Sequence, residues 1–290
     1  MTAPRISASS YSNTAPLIWS FLYGSNHGKV ELVLDNAPAR SAELLANDRV
    51  DAALVPVIAS QFINDVKLVS DVCVGTREKV RSVCLVTKGE DLEKVKTVSL
   101  DVSSRTSVIL TKIIFREFLG FDPEWHEAEP DIKAMLAESD AALLIGDPAL
   151  ALSSPPSESG APAGASPHGA DVGAVSAFRG QGGSLFRTFD LAELWHKYTG
   201  LGFVFAMWMT RREDCEIDFA SARDEGLKHL DEIASNYAPQ LQLTKNEMLR
   251  YLSENISYST EETMRKGMGL YFELAAKHEL MPVRRPLVFI

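Results

Sequence analysis

A polar loop runs into a helix start at Ser9-Ser10-Tyr11-Ser12-Asn13-Thr14-Ala15-Pro16-Leu17. Pro16 in a first helical turn costs no hydrogen bond, because the N–H it lacks would have no partner there. If a strand precedes this loop, Asn13 and the free N–H groups of the turn stand at that strand's carboxyl end. There an anion or a polar ligand is favoured. Asn13 as a simple cap, worth about 1 kcal/mol, is the other reading. A second loop, Asp101-Val102-Ser103-Ser104-Arg105-Thr106-Ser107, gathers hydroxyls and a guanidinium at another helix start. Such a set can cradle a carboxylate or a phosphate. Equally, Ser103 or Ser104 can cap the helix while Arg105 faces solvent. Arg81-Ser82-Val83 and Leu144-Ile145-Gly146-Asp147 fall at the edges of predicted strands. Ser82 can be an ordinary strand hydroxyl, and Asp147, before Pro148, a turn or cap residue.

The familiar catalytic sets are missing. The chain has no GxSxG elbow, no HExxH, no P-loop and no dinucleotide-type glycine pattern. Its six histidines (His27, His126, His168, His196, His229 and His278) are scattered, and each reads as structural or solvated. Cys73, Cys84 and Cys215 form no CxxC pair and leave an odd count, so neither a zinc knuckle nor a disulfide framework fits. No metal and no cofactor is expected.

The elements that must position these residues alternate. Ile6–Ser9 reads as a strand, followed by a helix carrying Leu17, Ile18, Phe21 and Leu22 and stopped by Gly24. Then come a strand at Val30–Leu34, a helix at Ala39–Asn47 and a strand at Asp51–Val55. Two β-rich runs follow, Lys67–Val74 and Val80–Lys88, turning at Gly75–Glu78. After a charged stretch at Gly89–Lys96 the pattern restarts: strand Thr97–Leu100, helix Ser104–Leu119, helix Asp131–Glu138, strand Ala141–Ile145. Strands separated by helices of this length pair in parallel through crossovers.

Between Ser153 and Ser184, prolines mix with Gly, Ala and Ser, and almost nothing can pack, which predicts a disordered surface insert, a lid or partner contact being the other reading. A helix at Asp190–Tyr198 and the apolar run Phe203–Met209 resume the order. Trp195 and Trp208 read as core. The tail is helical, with capping-box spacing at Thr244 and Glu247 and again at Ser259 and Glu262. The fold class expected is α/β in two lobes with a helical C-terminus. The chain should cross between lobes at Val86–Val95 and Leu201–Met209. Residues 1–88 with 204–290 would form a discontinuous first lobe, and 89–203 the second. Ligands in such folds sit at strand carboxyl ends, between the lobes.

At 290 residues there is room for two medium-sized domains, and 46% hydrophobic with 23% charged residues is ordinary globular composition. A net charge of −10 argues against a nucleic-acid partner. The longest apolar stretch, Phe203–Met209, is far too short to cross a bilayer. The opening Met-Thr-Ala-Pro-Arg carries no apolar secretory core. A soluble, cytoplasmic, acidic protein is the expectation, its protein partners unspecified.

Taken in order, six segments resemble one family. They are Ser10–Leu17; Asp51–Pro56, ending in Val55-Pro56; Ser82-Val83-Cys84-Leu85; Asp101–Ser107; Asp140–Leu150, containing Gly146-Asp147-Pro148; and Phe203–Trp208. Together they are similar to the chorismate dehydratases, which open the futalosine route to menaquinone. The resemblance covers nearly the whole chain outside the insert. It implies a type 2 periplasmic-binding-protein-like fold and a small dianionic substrate. The implied reaction is loss of water from chorismate to give 3-[(1-carboxyvinyl)oxy]benzoate: the ring C3 proton and the C4 hydroxyl leave and the ring becomes aromatic.

Carried onto this chain, the resemblance makes Asn13 and Ser82 the reacting-centre residues. Asn13 orients or polarises the departing hydroxyl or ring, and Ser82 donates to developing charge. Ser103, Ser104, Arg105, Thr106 and Ser107 would hold a carboxylate, Gly146 and Asp147 would shape the opposite wall, and Tyr11, Ser12, Pro56 and Val83 would complete the binding surface. The base is left between the substrate's own side-chain carboxylate and Asp147. Ser12 stands where a larger apolar residue is commoner, and the insert is longer than the family pattern needs. A solute-binding protein of transport would share the fold. So would 1,4-dihydroxy-6-naphthoate synthase, whose opening loop reads Ser-Pro-Cys-Pro-Asn-Asp against Ser10-Tyr11-Ser12-Asn13-Thr14 here. No helix-turn-helix precedes the first lobe, which disfavours a transcription-factor effector domain.

Overall fold

Two twisted sheets, each built around parallel strands, stand on either side of a cleft. The computed structural model describes residues 3–152, 176–179, 185–282 and 284–290. The first sheet contains β1 (Arg5–Ser9), β2 (Glu31–Asp35), β3 (Ala52–Pro56), β4 (Lys67–Thr76) and, from much later in the chain, β11 (Phe203–Thr210). Its order is β2-β1-β3-β11-β4. β1 pairs in parallel with β2 and β3, whereas β11 runs antiparallel to β3 and β4. The second sheet contains β5 (Val83–Thr87), β6 (Thr97–Asp101), β7 (Glu124–Ala128), β8 (Ala141–Ile145), β9 (Ser176–Arg179) and β10 (Leu185–Asp190), in the order β7-β6-β8-β5-β10-β9. β3 and β8 are buried at every position, which is why their sequences, Ala-Ala-Leu-Val-Pro and Ala-Ala-Leu-Leu-Ile, are unbroken apolar runs rather than alternating ones.

Helices cover the faces: α1 (Ala15–Leu22), α2 (Pro38–Ala46), α3 (Thr106–Ile113), α4 (Ile132–Glu138), α5 (Gly146–Leu152) and α6 (Leu191–Thr199), then a helical tail of α7 (Phe219–Leu227), α8 (Leu230–Tyr237), α9 (Lys245–Arg250) and α10 (Glu262–Lys277). The tail packs back on both the sheets and the cleft. Ser20 of α1 donates to Glu225 of α7 at 2.5 Å, and the fully buried Tyr271 of α10 donates to the Thr106 carbonyl at 3.1 Å. Trp195 and Trp208 are fully buried, as expected; burying a large apolar side chain contributes about 1.5–3 kcal/mol.

Several expectations need correction. The first crossing lies earlier than residues 86–95: β5 hydrogen-bonds to β8 and β10 of the second sheet, so the chain passes over at residues 77–82. A division at residue 88 therefore cuts β5 from its own sheet. The helix expected from Ser104 starts at Thr106, and residues Ile114–Leu119 widen into a π-helical turn. Asp190 caps α6 instead of opening it, accepting from Ala192 N and Glu193 N. β7, α5 and β10 were not anticipated. Most of the insert lies outside the described residues, but 176–179 form β9, antiparallel to β10, and not a disordered loop. The Thr244–Glu247 capping box forms. The Ser259–Glu262 box does not, because α10 is entered from Glu261 while Thr260 N and Oγ1 turn to Asp71.

Candidate active site

The parallel strands of both sheets end at the cleft. Ser9 closes β1, Pro56 closes β3, Asp101 closes β6 and Ile145 closes β8; each is followed by a turn into a helix, which aims backbone N–H groups inward. The cleft encloses about 580 Å³ of empty space, its open mouth included. The first sheet and its turns supply Tyr11, Asn13, Thr14, Pro56 and Phe205; the second supplies Ser82, Val83, Ser104, Thr106, Ser107 and Gly146. No charged side chain is among the lining residues.

Asn13 sits in a single 3-10 turn, Ser12–Thr14, that leads into α1. It caps nothing: neither the turn nor α1 has a side-chain cap, and among the described residues the Asn13 carboxamide faces the buried Tyr251 hydroxyl without closing to hydrogen-bond geometry. The turn is held by other groups, since Thr14 Oγ1 donates to Ser9 O at 2.6 Å and Tyr11 O at 2.8 Å. Ser82 is fully buried in the crossing before β5, and its hydroxyl makes only a long contact, 3.4 Å, to Val80 O. At the second loop the capping reading fails as well, because α3 has no side-chain cap. Ser104 and Ser107 keep their hydroxyls unengaged among the described residues, and Thr106 Oγ1 accepts only a 3.4 Å bond from Ile58 N. Buried polar groups are normally paired. Several unpaired ones converging on one cleft mark a place built for a polar ligand.

Four expected residues stand outside the lining. Ser103 donates to the buried Asp101 carboxylate at 2.5 Å through its hydroxyl and at 2.9 Å through its N–H. Arg105 turns away from the cleft to lie 3.5 Å from Glu43, and it borders a separate groove with Lys112 and Trp125. The helix begins two residues later than expected, which leaves Arg105 as the residue before its first turn and not inside it. Ser12 and Asp147 hold each other across the cleft's edge: the Asp147 carboxylate accepts from Ser12 N at 3.1 and 3.2 Å and from Ser12 Oγ at 2.5 Å. Burial pushes the Asp147 carboxyl up, and these bonds from Ser12 pull it back. Beside the clasp the Tyr11 ring packs against Gly146, where an added Cβ would come within 2.5 Å of Tyr11 Cε2. Burial pushes the Tyr11 phenol up to about 12, so it is a neutral donor at physiological pH.

Two residues missed in the sequence support this arrangement. Asp190 is fully buried and accepts four backbone N–H bonds: Val80 (3.0 Å) and Arg81 (2.5 Å) on one oxygen, Ala192 (2.9 Å) and Glu193 (3.2 Å) on the other. It thus ties the turn before Ser82 to the start of α6. Its signal was the Asp190-Leu-Ala-Glu193 spacing of a helix start. Burial raises its pKa to about 6. The folded chain then keeps the proton to about pH 6, whereas an unfolded Asp releases it near 4. Between those values the native state binds more protons, so this group's contribution to stability falls as pH rises and is flat above about 7. Urea unfolding across this range should show the wild type losing up to about 3 kcal/mol relative to Asp190→Asn. A wild type that instead gained on the variant would mean that the four N–H bonds outweigh burial. The other missed residue, Tyr251, opens a π-helical turn after α9. Some 170 residues from Ser82, it carried no local signal.

Two sheets joined by two passes of chain, with a polar cleft at the strand ends, define the two-lobed fold of the periplasmic binding proteins. Solved structures of that fold superpose over most of the chain. The ligand-binding component of an import system from Staphylococcus aureus has a TM-score of 0.61 and 15% identity, covering 99% of this chain and 96% of that one. The aliphatic sulphonate binding protein of Escherichia coli gives 0.58 and 16%, covering 96% and 88%. An Archaeoglobus fulgidus protein gives 0.65 and 16%, covering 96% and 98%. The sequence model of the menaquinone biosynthesis family matches residues 4–277, and the chain belongs to that family. It is 31% identical to the chorismate dehydratase of Thermus thermophilus over 280 residues, 91% of this chain and 92% of that protein.

Proposed function

We propose that this chain is a carbon–oxygen lyase that removes water from chorismate, giving 3-[(1-carboxyvinyl)oxy]benzoate for menaquinone biosynthesis. The observation that carries the reading is a pair of weakly held groups, the Asn13 carboxamide and the Ser82 hydroxyl with its 3.4 Å bond to Val80 O, in a cleft lined without charge. Family membership and the Thermus thermophilus relative support it. A dianion needs donors, and uncharged ones suffice. Hydrogen bonds to a charged group contribute about 1.5–3 kcal/mol each, and a helix N-terminus about 0.3–1 more. A micromolar complex requires about 8 kcal/mol. Ser104, Thr106 and Ser107 with the first N–H groups of α3 form the carboxylate cradle. Asn13 orients the departing C4 hydroxyl, and Ser82 donates to the charge that develops as it leaves. Free thiols at Cys73, Cys84 and Cys215 support a cytoplasmic location. No helix among the described residues is long and apolar enough to cross a membrane.

The lining supplies no carboxylate, imidazole or amine to take the C3 proton, and Asp147 is committed to Ser12. The base in this reading is the substrate's own enolpyruvyl carboxylate, held over C3. Asp147→Asn is then expected to keep kcat within about threefold, against the roughly 100- to 10,000-fold loss that follows removal of a general base. Steady-state kinetics on the folded variant separate the two. Incubation with chorismate, following products by mass, tests the whole reading. Loss of one water without release of pyruvate supports it, and tight binding without turnover would favour a solute-binding role, which the fold shared with import proteins also allows. Pyruvate release would assign a different reaction.

A further inference from the structure

Behind Ser82 and Asn13 lies a third polar group that the reading above does not use. Tyr251 is fully buried, and its hydroxyl has no hydrogen-bond partner among the described residues. Burial pushes its phenol up and keeps it protonated, while its polar neighbours, the Ser82 and Asn13 side chains, pull it back without closing to hydrogen-bond geometry. Leaving a phenol unsatisfied in a core is costly, and such exceptions call for a reason. The backbone is also unusual there. The helix opens into a π turn at Tyr251–Asn255, closed by Ile256 N donating to Tyr251 O at 3.3 Å; such turns concentrate at functional sites. In the same turn Asn255 donates to Lys79 O at 3.3 Å, pinning it to the crossing that carries Ser82.

We infer that Tyr251 is a positioning residue for the reaction. Its O–H donates to Ser82 Oγ once substrate draws that hydroxyl into the cleft, so that the Ser82 proton points at the oxygen leaving C4. The inference rests on the proposed function and deepens it. The phenol itself neither touches substrate nor changes protonation; it fixes which way Ser82 donates.

The test is a double-mutant cycle on the full chain with Tyr251→Phe, Ser82→Ala and the pair, measured for kcat, KM and Tm on chorismate. Because Tyr251→Phe removes only an unpartnered hydroxyl, the fold should be as stable as the wild type or slightly more so. The expected result is a kcat at least about tenfold lower with KM within about twofold, and a pair no slower than Ser82→Ala alone. A Tyr251→Phe variant with wild-type kcat overturns the inference. So do losses that multiply in the pair, which would place the tyrosine's effect elsewhere, and a lower kcat that merely follows a lower Tm and is restored at reduced temperature. A wild type that leaves chorismate unchanged refutes the proposed function instead, so the two failures are told apart.

Discussion

Asn13→Ala is expected to lower kcat on chorismate about 100- to 1000-fold, the loss that follows removal of one oriented donor at a reacting centre. Stability should hardly move. Asn13 is 8% exposed, and among the described residues its carboxamide makes no hydrogen bond of ordinary geometry, its polar neighbour being the Tyr251 hydroxyl, so the shorter side chain breaks no strong internal bond. This pattern discriminates sharply. A capping Asn would lose about 1 kcal/mol of stability and leave kcat alone. The measurement is kcat beside a thermal melt of the same preparation. Unchanged turnover would remove Asn13 from the reacting centre.

Gly146→Ala is expected to reduce kcat/KM about 100-fold and Tm by roughly 2–8 °C. Three effects meet at this residue. Its φ of +65° lies in the left-handed region, where a Cβ costs about 1–2 kcal/mol. The new Cβ would press on the Tyr11 ring at 2.5 Å, displacing the segment that leads into Ser12 and Asn13. Its N–H donates to Ser82 O at 2.7 Å, so a shift here also reaches Ser82. Gly120→Ala is the control. That residue has a φ of +79° but an open surround, so the variant should lose similar stability and keep its activity. Equal activity losses in both variants would attribute the effect to backbone strain alone.

Much of the fold was legible because its central strands lie between helix patterns: β3 and β8 are apolar runs, and β1 and β6 alternate apolar with small polar residues. β7 was illegible for the opposite reason. Glu124-Trp-His-Glu-Ala128 is a sheet-edge strand with mostly exposed or half-exposed residues, so no apolar periodicity marks it. β10 follows the low-complexity segment and mixes Arg187 and Thr188 among its apolar positions. The candidate site was readable where chemistry sits on a loop at a strand end, as at Asn13 and Ser104–Ser107. It was misread where the exact start of a helix decides what a side chain meets, as at Arg105, and where a carboxylate's partner lies 135 residues away, as at Asp147. Tyr251 belongs to neither class. Its meaning comes from what packs in front of it, which no local pattern encodes.

The crossing at residues 77–82 connects the two sheets, and Ser82 is its last residue, just past Arg81 with its φ of +63°. The Ser82 hydroxyl is therefore mounted on one of the stretches of chain that join the two sheets, and its direction depends on the backbone of that link. Substitutions at residues 77–82 are expected to shift kcat and KM together.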